Sequence, residues 1–167
     1  KEFEAHKIDR PINKMMAGIK WILTRKGLAA SNHFEAGGLI RGNDNVKYPN
    51  LQYHFGPTGF DYIGGKFKLS QAFTLQLDQL RPHSKGYLKL KSLNPKDSPE
   101  IKLNYFKDPR DIKELTEGVK KMRELVSQPV FDNYRGKEIS PGSEIQSDSE
   151  IEQAIRLNTI TDYHQCG

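Results

Sequence analysis

Hydrophobic positions recur along this chain with two different periods, and the changes of period mark its elements. Behind Pro11, the residues Ile12, Met15, Met16, Ile19, Ile22 and Leu23 repeat at the spacing of one helix face. Asp9 is placed to cap that helix, Pro11 suits its first turn, and Gly27 after Arg25-Lys26 stops it. The stripe is expected to face a core. From Asn32 to Lys91 the period shortens to two: Leu51, Tyr53 and Phe55 alternate with Gln52 and His54, and Phe73, Leu75 and Leu77 with Thr74, Gln76 and Asp78. These runs predict half-buried strands. In Gly86–Lys91, Leu88 and Leu90 share one face and Tyr87, Lys89 and Lys91 the other. The turn Arg81-Pro82-His83-Ser84-Lys85-Gly86 then predicts that this run pairs antiparallel with the one before it. Phe34–Ile40 reads as a further strand, in which Gly37-Gly38 mark a bulge or a close approach.

Helical spacing returns after Asp108-Pro109, a cap followed by a first-turn proline. Ile112, Leu115, Val119, Met122 and Val126 form one stripe that ends at Gln128-Pro129. Ser147-Asp148-Ser149-Glu150 is a capping box opening a third helix with Ile151, Ala154 and Ile155. Strands in the middle with helices before and after predict an α+β fold built on a mainly antiparallel sheet, not an alternating βαβ fold.

With 167 residues the chain fits one domain, residues 1–167 taken together. No stretch approaches the roughly 20 apolar residues that span a bilayer, so a soluble protein is expected. Cys166 is the single cysteine, which excludes an internal disulfide and points to a reducing compartment; no metal-ligand set is present. The net charge of +5 is unevenly spread. Lys85, Lys89, Lys91, Lys96, Lys102 and Lys107 crowd the middle, while acidic residues dominate after Gln128. Without a recognition motif this is not a nucleic-acid signature; it suits a surface that meets another surface. The chain begins at Lys1 without methionine and ends at Tyr163-His164-Gln165-Cys166-Gly167, where an active-site loop would be expected to continue. It reads as a piece of a longer protein.

Several segments, taken in order, carry a likeness. They are Gly27–Gly38 (Gly-Leu-Ala-Ala-Ser-Asn-His-Phe-Glu-Ala-Gly-Gly), Pro49–Phe55 (Pro-Asn-Leu-Gln-Tyr-His-Phe), Ser84-Lys85-Gly86 with Asn104-Tyr105, Gln128-Pro129 with Tyr134–Gly142, and Tyr163-His164. Singly they are weak, but their order and spacing resemble the glucose-methanol-choline oxidoreductases, nearest to the choline-oxidising branch. The likeness runs from Gly27 to the end of the chain. Members of that family bind FAD through a G-x-G-x-x-G turn, which this sequence lacks. The resemblance therefore implies the substrate-binding part of a flavoenzyme, with FAD held by the missing flavin-binding region of the same polypeptide.

Alcohol oxidation by hydride transfer needs a group to take the hydroxyl proton and tight placement of the reacting carbon. By resemblance His164 is the active-site histidine that assists proton removal. Its usual companion, a second His or an Asn, lies beyond this chain, and Gln165 replaces a frequent proline. His54 matches an active-site histidine of choline-oxidising relatives; its other reading is a hydrogen-bonded sheet residue. A quaternary ammonium such as choline's is held by aromatic faces and a carboxylate. Tyr163 is the nearest aromatic, and Phe34 stands where relatives place one, with a core Phe as its other reading. Glu35 is the neighbouring carboxylate, but strand alternation sets it opposite Phe34. His6, His33 and His83 are expected to be exposed.

The resemblance thus implies a parent that oxidises choline to betaine aldehyde, in the cytoplasm or at the periphery of the inner membrane. This piece alone is expected to be inactive, to bind no FAD, and to self-associate through faces the flavin region would cover. The alternatives are a relative acting on another primary alcohol, or a non-catalytic binding module whose basic middle engages an acidic partner.

Overall fold

A computed structural model describes residues 7–8, 10–63 and 66–161. The chain has the predicted α+β character: among the described residues are three α-helices and seven strands, α1 Pro11–Thr24, β1 Ala36–Ile40, β2 Leu51–Gly56, β3 Gly59–Ile63, β4 Lys66–Ser70, β5 Thr74–Gln79, β6 Tyr87–Lys89, β7 Glu100–Lys102, α2 Pro109–Val126 and α3 Asp148–Asn158. It forms two compact units. One comprises Lys1–Leu39 and Gln52–Leu77, the other Ile40–Leu51 and Asp78–Gly167.

Within the first unit, α1 starts at Pro11 as expected, with Arg10 in the flanking position; Asp9 lies outside the described residues. The helix stops where Arg25 turns left-handed at φ 56° and returns its N–H to the Trp21 carbonyl. Its apolar stripe does not face a core. No residue of α1 is buried, with Ile12 58% and Leu23 77% exposed. Among the described residues it meets the short 3-10 turn Leu28–Ala30 that follows it. Helical periodicity locates an apolar face but does not say what covers it.

The strands order as β1-β2-β5. Glu35 N–H donates to the Phe55 carbonyl at one end of the β1–β2 pair, and Asn50 N–H to the Ile40 carbonyl at the other, so these strands run in opposite directions. β5 also opposes β2: Leu80 N–H reaches the Asn50 carbonyl, while Phe73 meets Phe55 at a ring distance of 5.6 Å. β3 and β4 form a hairpin in the register Gly59↔Ser70 to Ile63↔Lys66. Gly64-Gly65 between them in sequence is a two-residue hairpin signal.

The second unit corrects one pairing. β6 does not pair with β5 but with β7, in the antiparallel register Tyr87↔Lys102, Leu88↔Ile101, Lys89↔Glu100. The cause lies in the segment after β5, which is tied to the start of α2. The Asp111 carboxylate, 1% exposed, accepts from the backbone N–H groups of His83 (2.7 Å) and Ser84 (2.9 Å) and from Gln79 Nε2 (3.1 Å). Ser84 Oγ in turn accepts from Asp108 N–H at 2.9 Å. The chain is thereby led onto the helix before it can fold back along β5. It then passes so close to β7 that a Cβ at Gly86 would lie 2.1 Å from the Lys102 carbonyl oxygen.

Both remaining helices begin as read. Asp108 caps α2 by accepting from Arg110 N–H, with Pro109 in the first turn, and Ser147 and Glu150 cap α3 reciprocally. α2 packs on α3, and the apolar core of this unit includes Ile112, Leu115 and Val119 of α2 and Ile151 of α3. Lys120 adds an ion pair to Asp148. No helix among the described residues is long and apolar enough to cross a membrane.

Burial alone pushes the Asp111 carboxyl up, but hydrogen bonds from Ser84, His83 and Gln79 outweigh it and hold it below its ordinary range. A carboxylate depressed in the folded state contributes stability above its unfolded pKa of about 3.9, and that contribution is lost as pH falls through the folded value. Asp111→Ala should cost about 2–4 kcal/mol in urea unfolding at pH 7, because buried donors lose a charged acceptor. Below about pH 4, wild-type stability should fall more steeply than that of Asp111→Asn. Parallel pH profiles would show that the carboxylate does not carry the effect.

Candidate functional site

The first unit gathers its chemistry where β2 passes the segment leading into β1. Alternation along β2 buries Leu51 and Tyr53 and turns Gln52 and His54 to the other face, both half-buried. Gln52 Nε2 lies 2.7 Å from His54 Nε2. The Phe34 ring stands 5.3 Å from the His54 ring at an interplanar angle of 58°. These side chains line an open cleft together with Asn32, Glu35 and Gly37.

The segment before β1 is shaped by its own polar groups. His33 adopts φ 74°, a left-handed conformation, and its N–H donates to Ser31 Oγ at 3.1 Å. Ser31 Oγ donates in a short hydrogen bond to Glu35 Oε1. The regular strand begins only at Ala36, so alternation does not govern Phe34 and Glu35. Both residues border the cleft. Gly37 lets β1 approach β2 closely, since a Cβ there would meet the Tyr53 carbonyl oxygen at 2.8 Å.

Of the residues singled out from the sequence, the fold brings His54 and Phe34 together and adds Glu35 beside them. Tyr163, His164 and Cys166 lie outside the described residues, as does His6. His33 is exposed, while His83 is half-buried in the second unit with Nε2 3.4 Å from Glu114 Oε1. Gln52 also lines the cleft and was not singled out from the sequence, although its i, i+2 relation to His54 on one strand face was legible. The cleft combines an aromatic face, a carboxylate and an imidazole, a set able to hold a cationic group and to exchange a hydrogen bond with a hydroxyl. Among the described residues no cluster of His, Cys, Asp and Glu forms a metal site.

The sequence profile described as GMC oxidoreductase matches residues 82–167. An oxygen-dependent choline dehydrogenase of Paraburkholderia phymatum is 40% identical over 152 residues, covering 91% of this chain and 27% of that protein. An oxygen-dependent choline dehydrogenase 1 of Chromohalobacter salexigens is 40% identical over 155 residues, covering 93% of this chain and 28% of that protein. The chain thus spans under a third of the length of these curated relatives. Among solved structures, an FAD-dependent oxidoreductase of Chaetomium thermophilum shares the fold at a TM-score of 0.71 and 18% identity, over 91% of this chain and 32% of the other. A formate oxidase of Aspergillus oryzae does so at 0.67 and 20%, over 86% and 30%.

Two adjacent glycines separate close packing from open space. Gly37→Ala should destabilise the chain by about 1–3 kcal/mol, since the backbone it meets cannot yield without moving β2. Gly38→Ala, with nothing within 4 Å of its Cβ, should stay within about 0.5 kcal/mol of wild type. Thermal unfolding of the two variants checks the difference, and equal losses would contradict the close approach.

Proposed function

Since this chain belongs to the GMC oxidoreductase family, we propose that it is the substrate-binding part of an FAD-dependent choline dehydrogenase. The parent would oxidise choline to betaine aldehyde. The observation that carries the reading is the meeting of Phe34, Glu35 and His54 on one cleft. Choline's quaternary ammonium cannot donate hydrogen bonds, so it is held by an aromatic face and a nearby negative charge, while its hydroxyl needs a polar partner. Phe34 and Glu35 suit the first end and His54 the second. The 40% identity to oxygen-dependent choline dehydrogenases supports the same substrate.

The sequence holds no G-x-G-x-x-G turn, so its residues do not fit the pyrophosphate of a dinucleotide. FAD would be bound by the flavin region of the longer polypeptide, where it supplies the hydride acceptor. The residues of this chain bind and orient the alcohol: Phe34, Tyr163 and His54 contact it, and His164 takes the hydroxyl proton. The isolated chain is then inactive, and self-association through its exposed apolar faces is the expected behaviour in solution. We assign the parent to the cytoplasm or to the inner-membrane periphery.

The test is anaerobic reduction of the bound flavin by choline in the full-length parent. Choline should bleach the flavin rapidly, and His164→Ala should slow this by about 10²–10⁴-fold. Reduction by another primary alcohol but not by choline would keep the family and discard the substrate. A parent that binds no flavin would overturn the enzyme reading.

A further inference from the structure

We infer that Ser31 is a positioning residue for Glu35: it holds the carboxylate at the edge of the cleft, where one fixed negative charge favours alcohols that carry a permanent positive charge over neutral alcohols of the same shape. Its use in substrate selection rests on the reading of the cleft given above. Glu35 is tied at two points. Its N–H donates to the Phe55 carbonyl at 2.9 Å, which sets its backbone against β2, and its Oε1 accepts from Ser31 Oγ. The serine hydroxyl has one hydrogen, and the His33 N–H at 3.1 Å occupies a lone pair of the same oxygen, so that hydrogen is left for the carboxylate. Ser31 is half-buried, and its own N–H returns to the Leu28 carbonyl at 3.3 Å.

Glu35 is an exposed residue of the cleft wall, and apart from Ser31 no side chain among the described residues pairs with it. Its Oε2 is free to face a ligand. Without a tether, an exposed glutamate samples several rotamers and spends part of its time turned into water. A quaternary ammonium cannot pull it back, because that cation has no N–H to donate. Attraction between the two is Coulombic, and it weakens as the charges part and water enters between them. A hydroxyl four positions earlier thus supplies the hold that the ligand cannot. A neutral alcohol of the same shape gains nothing from where the carboxylate sits.

The test compares choline with 3,3-dimethyl-1-butanol, which has carbon in place of the nitrogen, as reductants of the bound flavin in the full-length parent. Glu35→Gln should raise the half-saturating choline concentration by about 10-fold or more and Ser31→Ala by about 3-fold, while both leave that of the neutral alcohol within about twofold. Ser31→Thr keeps the hydroxyl and should restore the wild-type preference. Equal losses for both alcohols, or unchanged choline saturation in Ser31→Ala, would overturn the inference. On this chain, three-bond carbon–proton couplings report the Glu35 side-chain rotamer with no substrate present. Wild type and Ser31→Thr should show one rotamer and Ser31→Ala an average; averaging already present in wild type would overturn the positioning role. A wild-type parent reduced by neither alcohol defeats the functional reading separately, because the rotamer measurement still decides whether Ser31 holds Glu35.

Discussion

A carboxylate removed from water must be surrounded by donors, and the arrangement around Asp111 follows from that requirement. Its oxygens collect two successive backbone N–H groups and the Gln79 side chain, so the end of β5, the loop after it and the first turn of α2 become one hydrogen-bonded knot. Gln79 also reaches Glu114 Oε2 at 2.8 Å, one turn further along the helix. Once the loop is committed to α2, β6 has to find a different neighbour. It finds β7, and the short hairpin of the second unit is a consequence of where one buried charge sits.

The cleft obeys a different constraint, that of a strand with one buried face. Burying Leu51 and Tyr53 leaves Gln52 and His54 side by side on the other face. Because Gly37 has no side chain, β1 can lie close to Tyr53, and the residues just before it are carried to the same place. Ser31 then restrains Glu35 from within its own segment. The cleft is therefore assembled from strand sterics and a local polar turn, and Asn32, Phe34, Glu35, Gln52 and His54 all lie inside the first unit.

Much of this could be read from the sequence, and the reasons for the rest are physical. The starts of α2 and α3 were legible because capping chemistry is local: Asp108-Pro109 and Ser147 through Glu150 contain all the atoms involved. The faces of β2 were legible for the same reason. The partner of β6 was not, because pairing depended on Asp111, which follows β6 in sequence by more than twenty positions and gives no local signal. The exposure of Ile12, Met15 and Ile19 was equally hidden, since a periodic stripe carries no information about its cover. Phe34 and Glu35 precede the regular strand, so alternation does not fix their faces. His54 and Phe34 emerged through family likeness, and the geometry added their mutual contact.

The segment before β1 also gives position 33 a role. There a left-handed residue turns the chain toward the strand while its N–H is held by Ser31 Oγ. The position is therefore closed to Val, Ile and Thr, whose branched side chains crowd that conformation, and open to Gly, Asn, Asp or His. Sequence change in this lineage can remodel the chemistry of the cleft at 34 and 35 one residue at a time. It can do so only while residue 33 stays among the few types that tolerate the reversal, so a position that need not touch any ligand sets which variations of the binding surface are reachable.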